Sequence, residues 1–391
     1  MFTVNELFSG IGAQTAALKR LAIEHRVVGI SETDKFAIKS YEAINGTVRN
    51  YGDINSVNAL DYADLWTYSF PCQDISVAGR MRGISTETRS GLLLQVRRLL
   101  ETAKNNGTLP KFLLMENVKA LTFKRFKPDF EGWLKFLNKI GYRNYWQILN
   151  AADFNIPQNR ERVFVVSIRK DIDRSFVFPP TISLTRRLAD VLEESVPEKY
   201  FVGERTMRYI AGKFSKQHNF RVAINRAENI LQTPLRAQGD KAVIQVANIM
   251  PTRTRTNPNQ GHVYDAEGLS PTLNSMNGGG RQPLIVQCGR GFNKGGLHAV
   301  APAITSGGYE RNNFVNGYGI RRLTPRECWR LMGFTDAEFD AARQAGISDS
   351  QLYKQAGNSI VVNVLSAIFR QLLMSAPLHG YTQKDGQIIL I

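Results

Sequence analysis

Up to about residue 180, short apolar blocks alternate with stretches in which apolar residues recur at helical spacing. The apolar blocks are four to eight residues long, which is typical of strands, and several are continuously apolar, as in buried parallel strands. Regular alternation of strands and helices favours an α/β fold built on a mainly parallel sheet. The pattern predicts strands at 2–8, 27–31, 111–115, 145–149 and 163–168, and helices at 91–100 and 133–140.

The pattern changes near residue 181, where strong periodicity gives way to a region rich in Gly, Thr, Asn and Arg. Segments 230–236, 268–280 and 300–308 resemble one another, and they are either repeated strand-and-loop units or ordinary Thr/Gly turns. Helical patterns return near the end of the chain, where Thr324 as N-cap and Pro325 at the first helical position predict a helix start, so we expect two domains. The predicted boundaries are 1–180 plus 340–391 for the larger α/β domain and 181–339 for a smaller, mainly β/loop domain.

The composition of the chain indicates which kinds of partner to expect. Fifty Lys and Arg against 34 Asp and Glu give a net charge of +16, which favours a polyanionic partner. The three cysteines form no CxxC pair, which argues against a disulfide framework and leads us to expect no metal. No basic leader and no apolar run long enough to cross a bilayer stand out, so we expect a cytoplasmic protein without a membrane partner.

The first strand leads into Phe8-Ser-Gly10-Ile-Gly12 and then a helical pattern. Strand, glycine turn and helix form a cradle in which backbone approaches a nucleotide-like cofactor. Position 15 is Thr rather than a third glycine, which disfavours NAD or FAD. Glu32 follows the second strand, where a carboxylate accepts hydrogen bonds from ribose hydroxyls or caps a helix. Asp53 is placed either to accept from an adenine amino group or to serve ordinary loop chemistry.

Cys72 follows Pro71, which ends a run of β-formers at the sheet edge where α/β proteins hold ligands. It is a candidate nucleophile or a small buried residue. Glu116 follows the next apolar strand, so both side chains are expected at one edge. Arg160 and Arg162, separated by one residue at a strand entrance, point to one side and could clamp the carboxylate and an anionic substrate.

Six motifs stand in order along the chain: Phe8–Gly12, Pro71-Cys72-Gln73, Glu116-Asn117-Val118, Gln158-Asn-Arg-Glu-Arg162, Arg322-Leu-Thr-Pro-Arg-Glu-Cys328 and Gly357-Asn-Ser359. Together they resemble the bacterial DNA (cytosine-5)-methyltransferases over nearly the whole chain. The resemblance implies a Rossmann-like methyltransferase domain that binds S-adenosylmethionine, closed by the C-terminal helix, and a smaller target-recognition domain, with double-stranded DNA between them.

The resemblance implies a chemistry for these residues. Cys72 attacks C6 of cytosine, which makes C5 nucleophilic enough to take a methyl group. A protonated Glu116 hydrogen-bonds N3, Arg162 holds the ring at O2, and Arg160 supports Arg162 or binds phosphate. The target base is flipped out of the duplex, because C6 cannot be reached inside a stack.

The remaining site residues are also implied by the resemblance. The cofactor contacts are Phe8, Gly10, Gly12, Glu32, Asp53, Pro71, Leu92, Asn358 and Ser359. The expected DNA contacts are Gln73, Ser76 and Arg80 in a closing loop and Gln260, Thr272 and Thr305 in the recognition domain. Gln260 either fills the space left by the flipped base or is an ordinary loop glutamine, and Thr272 and Thr305 compete for one central role.

Three alternatives stay open at this point. An RNA-directed enzyme on the same fold, acting on tRNA, is disfavoured by the long region after 181. A DNA-binding protein without activity is disfavoured by the intact Cys72, Glu116 and Arg162, and a Rossmann oxidoreductase by the missing glycine and the charge. We expect a monomer in a bacterial cytoplasm, encoded by the host, a phage or a mobile element, with a restriction endonuclease as a candidate partner.

Overall fold

The computed structural model describes residues 1–71, 91–201, 245–248, 262–264, 270–271, 273, 284–288, 318–374, 381–384 and 387–390.

A six-stranded sheet organises the chain, in the order β2-β1-β3-β4-β7-β5. The first four of these strands are parallel, and β7 lies antiparallel to both β4 and β5. As a result β7 begins at the edge where the parallel strands end. The strands are β1 Phe2–Leu7, β2 His25–Ser31, β3 Leu65–Tyr68, β4 Phe112–Val118, β5 Tyr142–Asn150 and β7 Glu161–Arg169, with the short β6 Gln158–Asn159 before β7.

Side chains alternate between the two faces of the sheet, as the period of a strand requires. Leu114 and Phe164 join one apolar cluster, whereas Leu113 and Val165 join the other. Helices α1 and α5 to α8 cover the first face, and α3 and α4 cover the second. The helices are α1 Ala13–Arg20, α2 Lys35–Asn45, α3 Leu92–Asn105, α4 Lys127–Ile140, α5 Pro325–Leu331, α6 Asp336–Gln344, α7 Asp349–Asn358 and α8 Val362–Phe369.

The described residues also form three smaller sheets. A four-stranded sheet has the order β12-β11-β9-β8, a parallel pair joins β10 to β6, and a terminal hairpin joins β13 to β14. Their strands are β8 Gln245–Asn248, β9 His262–Tyr264, β10 Ser270–Pro271, β11 Leu284–Cys288, β12 Tyr318–Arg322, β13 Tyr381–Lys384 and β14 Gln387–Leu390.

The join between β12 and α5 is anchored by a buried ion pair. Arg321 and Glu327 are both fully buried, and their guanidinium and carboxylate groups lie 2.7 Å apart. Glu327 also accepts from the backbone N–H of Thr324, which completes a capping box at the start of α5. The helix start predicted at Thr324 and Pro325 is therefore confirmed.

Two segments assigned by sequence to the smaller domain pack on the larger core. Leu188 and Val191 belong to the same apolar cluster as Val4 of β1, and so do Trp329 and Met332. The division at 181 and 339 stays a prediction, and this packing favours a larger domain that also holds 188–201 and 323–334.

The predicted strands and helices of the first domain are all present, with ends shifted by a few residues. At the recognised Gly357–Ser359 motif, α7 continues through Gly357 to Asn358, and residues 359–361 separate it from α8. By length and composition alone the helical stretch Asp349–Met374 could cross a membrane, but most of its apolar part is buried within this fold.

Candidate active site

A cavity of about 440 Å³ opens at the edge where the parallel strands end. This volume lies in the range of small-molecule sites. One side, the glycine-turn half, is formed by the loops after β1, β2 and α2. The other side, the charged half, is formed by the end of β4 and the start of β7. Of the predicted site residues, the cavity is lined by Phe8, Gly10, Glu32, Asp53, Pro71, Leu92, Glu116, Arg160, Arg162, Asn358 and Ser359.

Main-chain geometry shapes the glycine-turn half. Gly10 has φ +55°, and a Cβ added there would meet no atom of the described chain within 4 Å, because this position faces open space. Phe8 also adopts a positive φ of 56°, which is uncommon for a residue other than glycine. Its backbone N–H donates to the carbonyl of Ser31 at 2.8 Å, which joins the ends of β1 and β2. The turn is thus fixed by backbone hydrogen bonds and leaves room for a ligand.

Glu32 holds this turn to the start of α2. Its carboxylate accepts from the backbone N–H of Gly10 at 2.9 Å and from those of Thr33 and Asp34 at 2.8 and 2.9 Å. A carboxylate offers about four acceptor positions, so it retains capacity for a ligand hydroxyl. Both predicted roles, acceptor and helix-start partner, are therefore compatible in one side chain.

Gly12 is placed differently from the other predicted cofactor contacts. It does not line the cavity; it precedes α1 with φ +83°, and a Cβ there would lie 2.8 Å from the ring of Tyr41. Beneath it, Glu6 is fully buried and accepts from the hydroxyl of Thr15 at 2.7 Å. Burial raises the pKa of Glu6 to about 7, although the hydrogen bond from Thr15 opposes the shift.

Asp53 and the chain ends complete this half. Asp53 accepts from the backbone N–H of Asn55 at 2.9 Å and so caps the short helical turn Ile54–Ser56. Asn358 is exposed at the end of α7, and the buried Ser359 follows it. The Gly357–Ser359 segment predicted to face the cofactor therefore does reach the cavity.

The charged half is built on an ion pair between β4 and β7. Val118 is opposite Arg162 in the antiparallel register, which brings that arginine near Glu116. Arg162 Nε lies 3.2 Å from Glu116 Oε1, and the side chains are only 17% and 9% exposed. Outside the cavity, Lys119 Nζ lies 2.8 Å from Glu161 Oε1. Charges of alternating sign thus continue from the cavity to its outer rim.

Arg160 is placed differently from Arg162. It is 4% exposed, and its guanidinium donates to the carbonyls of Leu273 at 2.8 Å, Gly357 at 3.1 Å and Ser359 at 2.9 Å. Of the two arginines, Arg162 makes the ion pair with Glu116. These bonds hold backbone carbonyls of distant segments, so the two predicted roles of Arg160, support of Arg162 or phosphate binding, stay predictions.

Several predicted residues lie outside the described part of the chain, and their roles stay predictions. These are Cys72, Gln73, Ser76, Arg80, Gln260, Thr272 and Thr305. Pro71, immediately before Cys72, does line the cavity. Among the described residues, no cluster of His, Cys, Asp and Glu is arranged to hold a metal ion.

Two features of the site were missed from sequence. Asn117 donates from Nδ2 to the carbonyl of Phe70 at 3.0 Å, which fixes the chain shortly before Cys72. Lys354 on α7 donates to Asp34 Oδ2 at 2.6 Å across the cavity rim. Burial alone would raise the pKa of Asp34, but the bonds from Lys354 and from the Phe36 backbone hold it below its usual value. Asn117 lies within a recognised motif, whereas nothing local marks Lys354.

Comparison with known proteins identifies the family to which a chain with this site belongs. Residues 2–374 match the family model described as C-5 cytosine-specific DNA methylase. The chain belongs to this family. It is 33% identical to the orphan methyltransferase M.SPBetaI of Bacillus phage SPbeta, over 98% of this chain and 99% of that protein. It is 32% identical to the type II methyltransferase M2.ScrFI of Lactococcus lactis subsp. cremoris, over 96% and 100%.

This C-5 cytosine-specific methylase is similar in fold to the crystal structure of the S. pombe Dnmt2 methyltransferase. The TM-score is 0.61 at 20% identity, over 96% of this chain and 99% of that one. The predicted Rossmann-like α/β methyltransferase fold is confirmed. The chain is a DNA cytosine-5-methyltransferase of the restriction-modification type that uses S-adenosylmethionine.

Proposed function

We propose that this methyltransferase acts on a cytosine flipped out of a specific short sequence in duplex DNA, through a covalent bond between Cys72 and C6. The observation that supports the proposal best is the shared cavity. It joins the glycine turn and the Glu116–Arg162 pair, and Pro71 at its rim leads directly to Cys72.

The glycine-turn half fits S-adenosylmethionine. The position of a Gly10 Cβ is open space, Glu32 retains acceptor capacity for ribose hydroxyls, and the apolar side chains of Phe8 and Ile54 line the walls. Asp53, Pro71, Leu92, Asn358 and Ser359 complete the proposed contacts, and Gly12 acts through the packing of α1. The bound cofactor supplies a methyl group on a sulfonium, from which C5 of cytosine takes it.

The charged half fits the cytosine ring. Glu116 donates a hydrogen bond to N3 when protonated, and Arg162, held against it, contacts O2. Attack by the Cys72 thiolate forms a C6–S bond and moves the C5–C6 electron pair toward C5, where the methyl group is accepted. Loss of the C5 proton to a base then restores the double bond and expels the thiolate.

The base must be flipped out in this proposal, because a thiolate adds to C6 from the face of the ring, and neighbouring bases cover that face in a stacked duplex. Gln73, Ser76 and Arg80 are the proposed closing-loop contacts, and Gln260, Thr272 and Thr305 the proposed recognition contacts. We further propose a monomer that acts in the bacterial cytoplasm, with a separate restriction endonuclease as partner and without a metal.

The covalent step is tested with duplex DNA that carries 5-fluorocytosine at the target position. After methyl transfer, C5 of this base holds no proton to lose, so Cys72 is not expelled and the enzyme stays bound to DNA under denaturing conditions. We expect this adduct with S-adenosylmethionine present, and none for Cys72→Ser. If the wild-type enzyme methylates ordinary duplex DNA but forms no adduct, the covalent proposal is wrong.

A further inference from the structure

Gln158 and Arg160 connect two parts of the chain that the reaction uses separately. Arg160 is 113 residues from Leu273 and 197 residues from Gly357, and it donates to the carbonyls of both. Gln158 is fully buried; its Oε1 accepts from the backbone N–H of Leu273 at 3.2 Å, and its Nε2 donates to the carbonyl of Leu331 at 2.8 Å. The side chains of Gln158 and Arg160 thus both bind the backbone of Leu273.

Backbone pairing strengthens this connection. Residues Gln158–Asn159 pair with Ser270–Pro271 as parallel strands, and the backbone N–H of Ser270 donates to the carbonyl of Pro157 at 2.8 Å. Ser270, Pro271 and Leu273 of the predicted recognition region therefore lie at the entrance of β7. Among these contacts, the Arg160 guanidinium is what joins Leu273 to the cofactor-facing segment 357–359.

The chemistry of the guanidinium makes this a stiff connection. Its donors lie in one plane with fixed angles, so the bonds to Leu273 and to Gly357 and Ser359 cannot adjust independently. Burial of the group also makes each lost bond costly, because no water replaces it. A change in the position of one segment is then transmitted to the other.

We propose that Gln158 and Arg160 are positioning residues that couple cofactor binding at 357–359 to DNA binding beside Ser270, Pro271 and Leu273. The inference rests on the proposed location of S-adenosylmethionine and DNA. A bound cofactor that fixes the position of 357–359 also fixes the Arg160 guanidinium, which in turn fixes the carbonyl of Leu273 before DNA binds. By linkage, DNA strengthens cofactor binding by the same factor.

The test measures the affinity of the enzyme for S-adenosylhomocysteine, which lacks the transferable methyl group. The measurement is made with and without a saturating concentration of duplex DNA that contains the sequence the enzyme methylates. For the wild type we expect DNA to tighten binding about 5- to 150-fold, the usual range of such coupling. For Arg160→Lys, whose single ammonium cannot span these carbonyls, the ratio falls toward one. Gln158→Met, which releases Leu273 and leaves Arg160 intact, lowers the ratio in the same direction.

Arg20→Lys is the matched control. Arg20 also donates to a carbonyl, that of Gly333, and to Asn363 Oδ1 at 2.7 Å, but it contacts neither coupled segment. We expect it to lower the melting temperature without changing the ratio. If Arg160→Lys or Gln158→Met folds and keeps the wild-type ratio of affinities, the inference is overturned. A wild-type enzyme that binds neither ligand would instead contradict the proposed function.

Discussion

The glycine-turn half of the cavity is shaped mainly by main chain, whereas the charged half depends on side chains that meet across strands. Gly10 and Phe8 adopt positive φ, and the carboxylate of Glu32 accepts from three backbone N–H groups. In the other half, Arg162 on β7 reaches Glu116 on β4 through strand register. The main-chain arrangement suits binding of a ligand that is the same in every turnover, and the side-chain arrangement suits stabilisation of a charge that develops during the reaction.

From this comparison we expect substitutions in the charged half to change turnover, and substitutions in the glycine-turn half to change cofactor binding. The largest effect is expected for Glu116→Gln, which keeps the shape of the side chain and can still donate a hydrogen bond to N3, but cannot transfer a proton to it. We expect kcat to fall about 10²- to 10⁴-fold, the usual contribution of a general acid. The KM for S-adenosylmethionine should change little, which steady-state kinetics with labelled cofactor would measure.

The control for that variant is Glu161→Gln. Glu161 belongs to the same run of charges, but it pairs with Lys119 outside the cavity at a half-exposed position. Because exposed ion pairs contribute about 1 kcal/mol or less, kcat should change by a factor of about 5 or less. Equal losses in both variants would show that the charge network, rather than the Glu116 proton, matters for turnover.

Glu6 is the exception within the glycine-turn half, because it is a carboxyl group buried beneath a turn made of backbone. Its pKa is raised from 4.5 to about 7, so between these pH values the folded protein binds more protons than the unfolded chain. The free energy of unfolding therefore falls as pH rises through this window. The shift corresponds to about 3 kcal/mol of lost stability above pH 7.

We therefore expect Glu6→Gln, which imitates the neutral acid, to match the wild type at about pH 5 and to exceed its stability at about pH 8. Urea unfolding across this range would measure the difference. The exposed Glu24→Gln serves as control and should show no such trend. A constant difference between Glu6→Gln and wild type at all pH values would contradict a titrating Glu6.

Glu32→Gln tests the glycine-turn half directly. A neutral amide accepts the three backbone hydrogen bonds more weakly, and bonds to a charged group contribute about 1.5–3 kcal/mol. We expect the KM for S-adenosylmethionine to rise about 10- to 100-fold while kcat stays near the wild-type value. The exposed Glu42→Gln on α2 should change neither constant. A fall in kcat with an unchanged KM would contradict the proposal that the glycine-turn half serves cofactor binding and the charged half serves turnover.

The smallest effect is expected for Lys354→Met at the cavity rim. The ion pair with Asp34 is about one-third exposed on the lysine side, so its loss should change stability by about 1 kcal/mol or less. Thermal unfolding beside the exposed Lys104→Met would show this. A loss as large as that expected for a buried ion pair would mean that the rim contact holds α7 in place.

Sequence was sufficient for most of the first domain because its signals are local. Apolar runs located the strands, Thr324 and Pro325 located a helix start, and the glycine turn indicated a cofactor loop before any contact was known. Placing Glu116 and Cys72 at strand ends was enough to predict one shared edge, and Glu116 and Pro71 do line one cavity.

Other features depend on contacts between distant residues, and no local pattern encodes them. Lys354 meets Asp34 across 320 residues, and Arg160 meets Ser359 across 199. The packing of Leu188 and Val191 on the first core likewise needed the fold, because short helical turns in a polar region give no strong periodicity. Gly12 was predicted to contact the cofactor, whereas its contact with Tyr41 could only be found in three dimensions.

The central claim is tested most directly by methyl transfer from labelled S-adenosylmethionine to duplex DNA, with the product mapped at base resolution and Cys72→Ser assayed beside the wild type. The account predicts label as 5-methylcytosine within one short motif, and none for the variant, because a serine hydroxyl is too weak a nucleophile here. Transfer to tRNA with none to DNA, or undiminished transfer by Cys72→Ser, would contradict it.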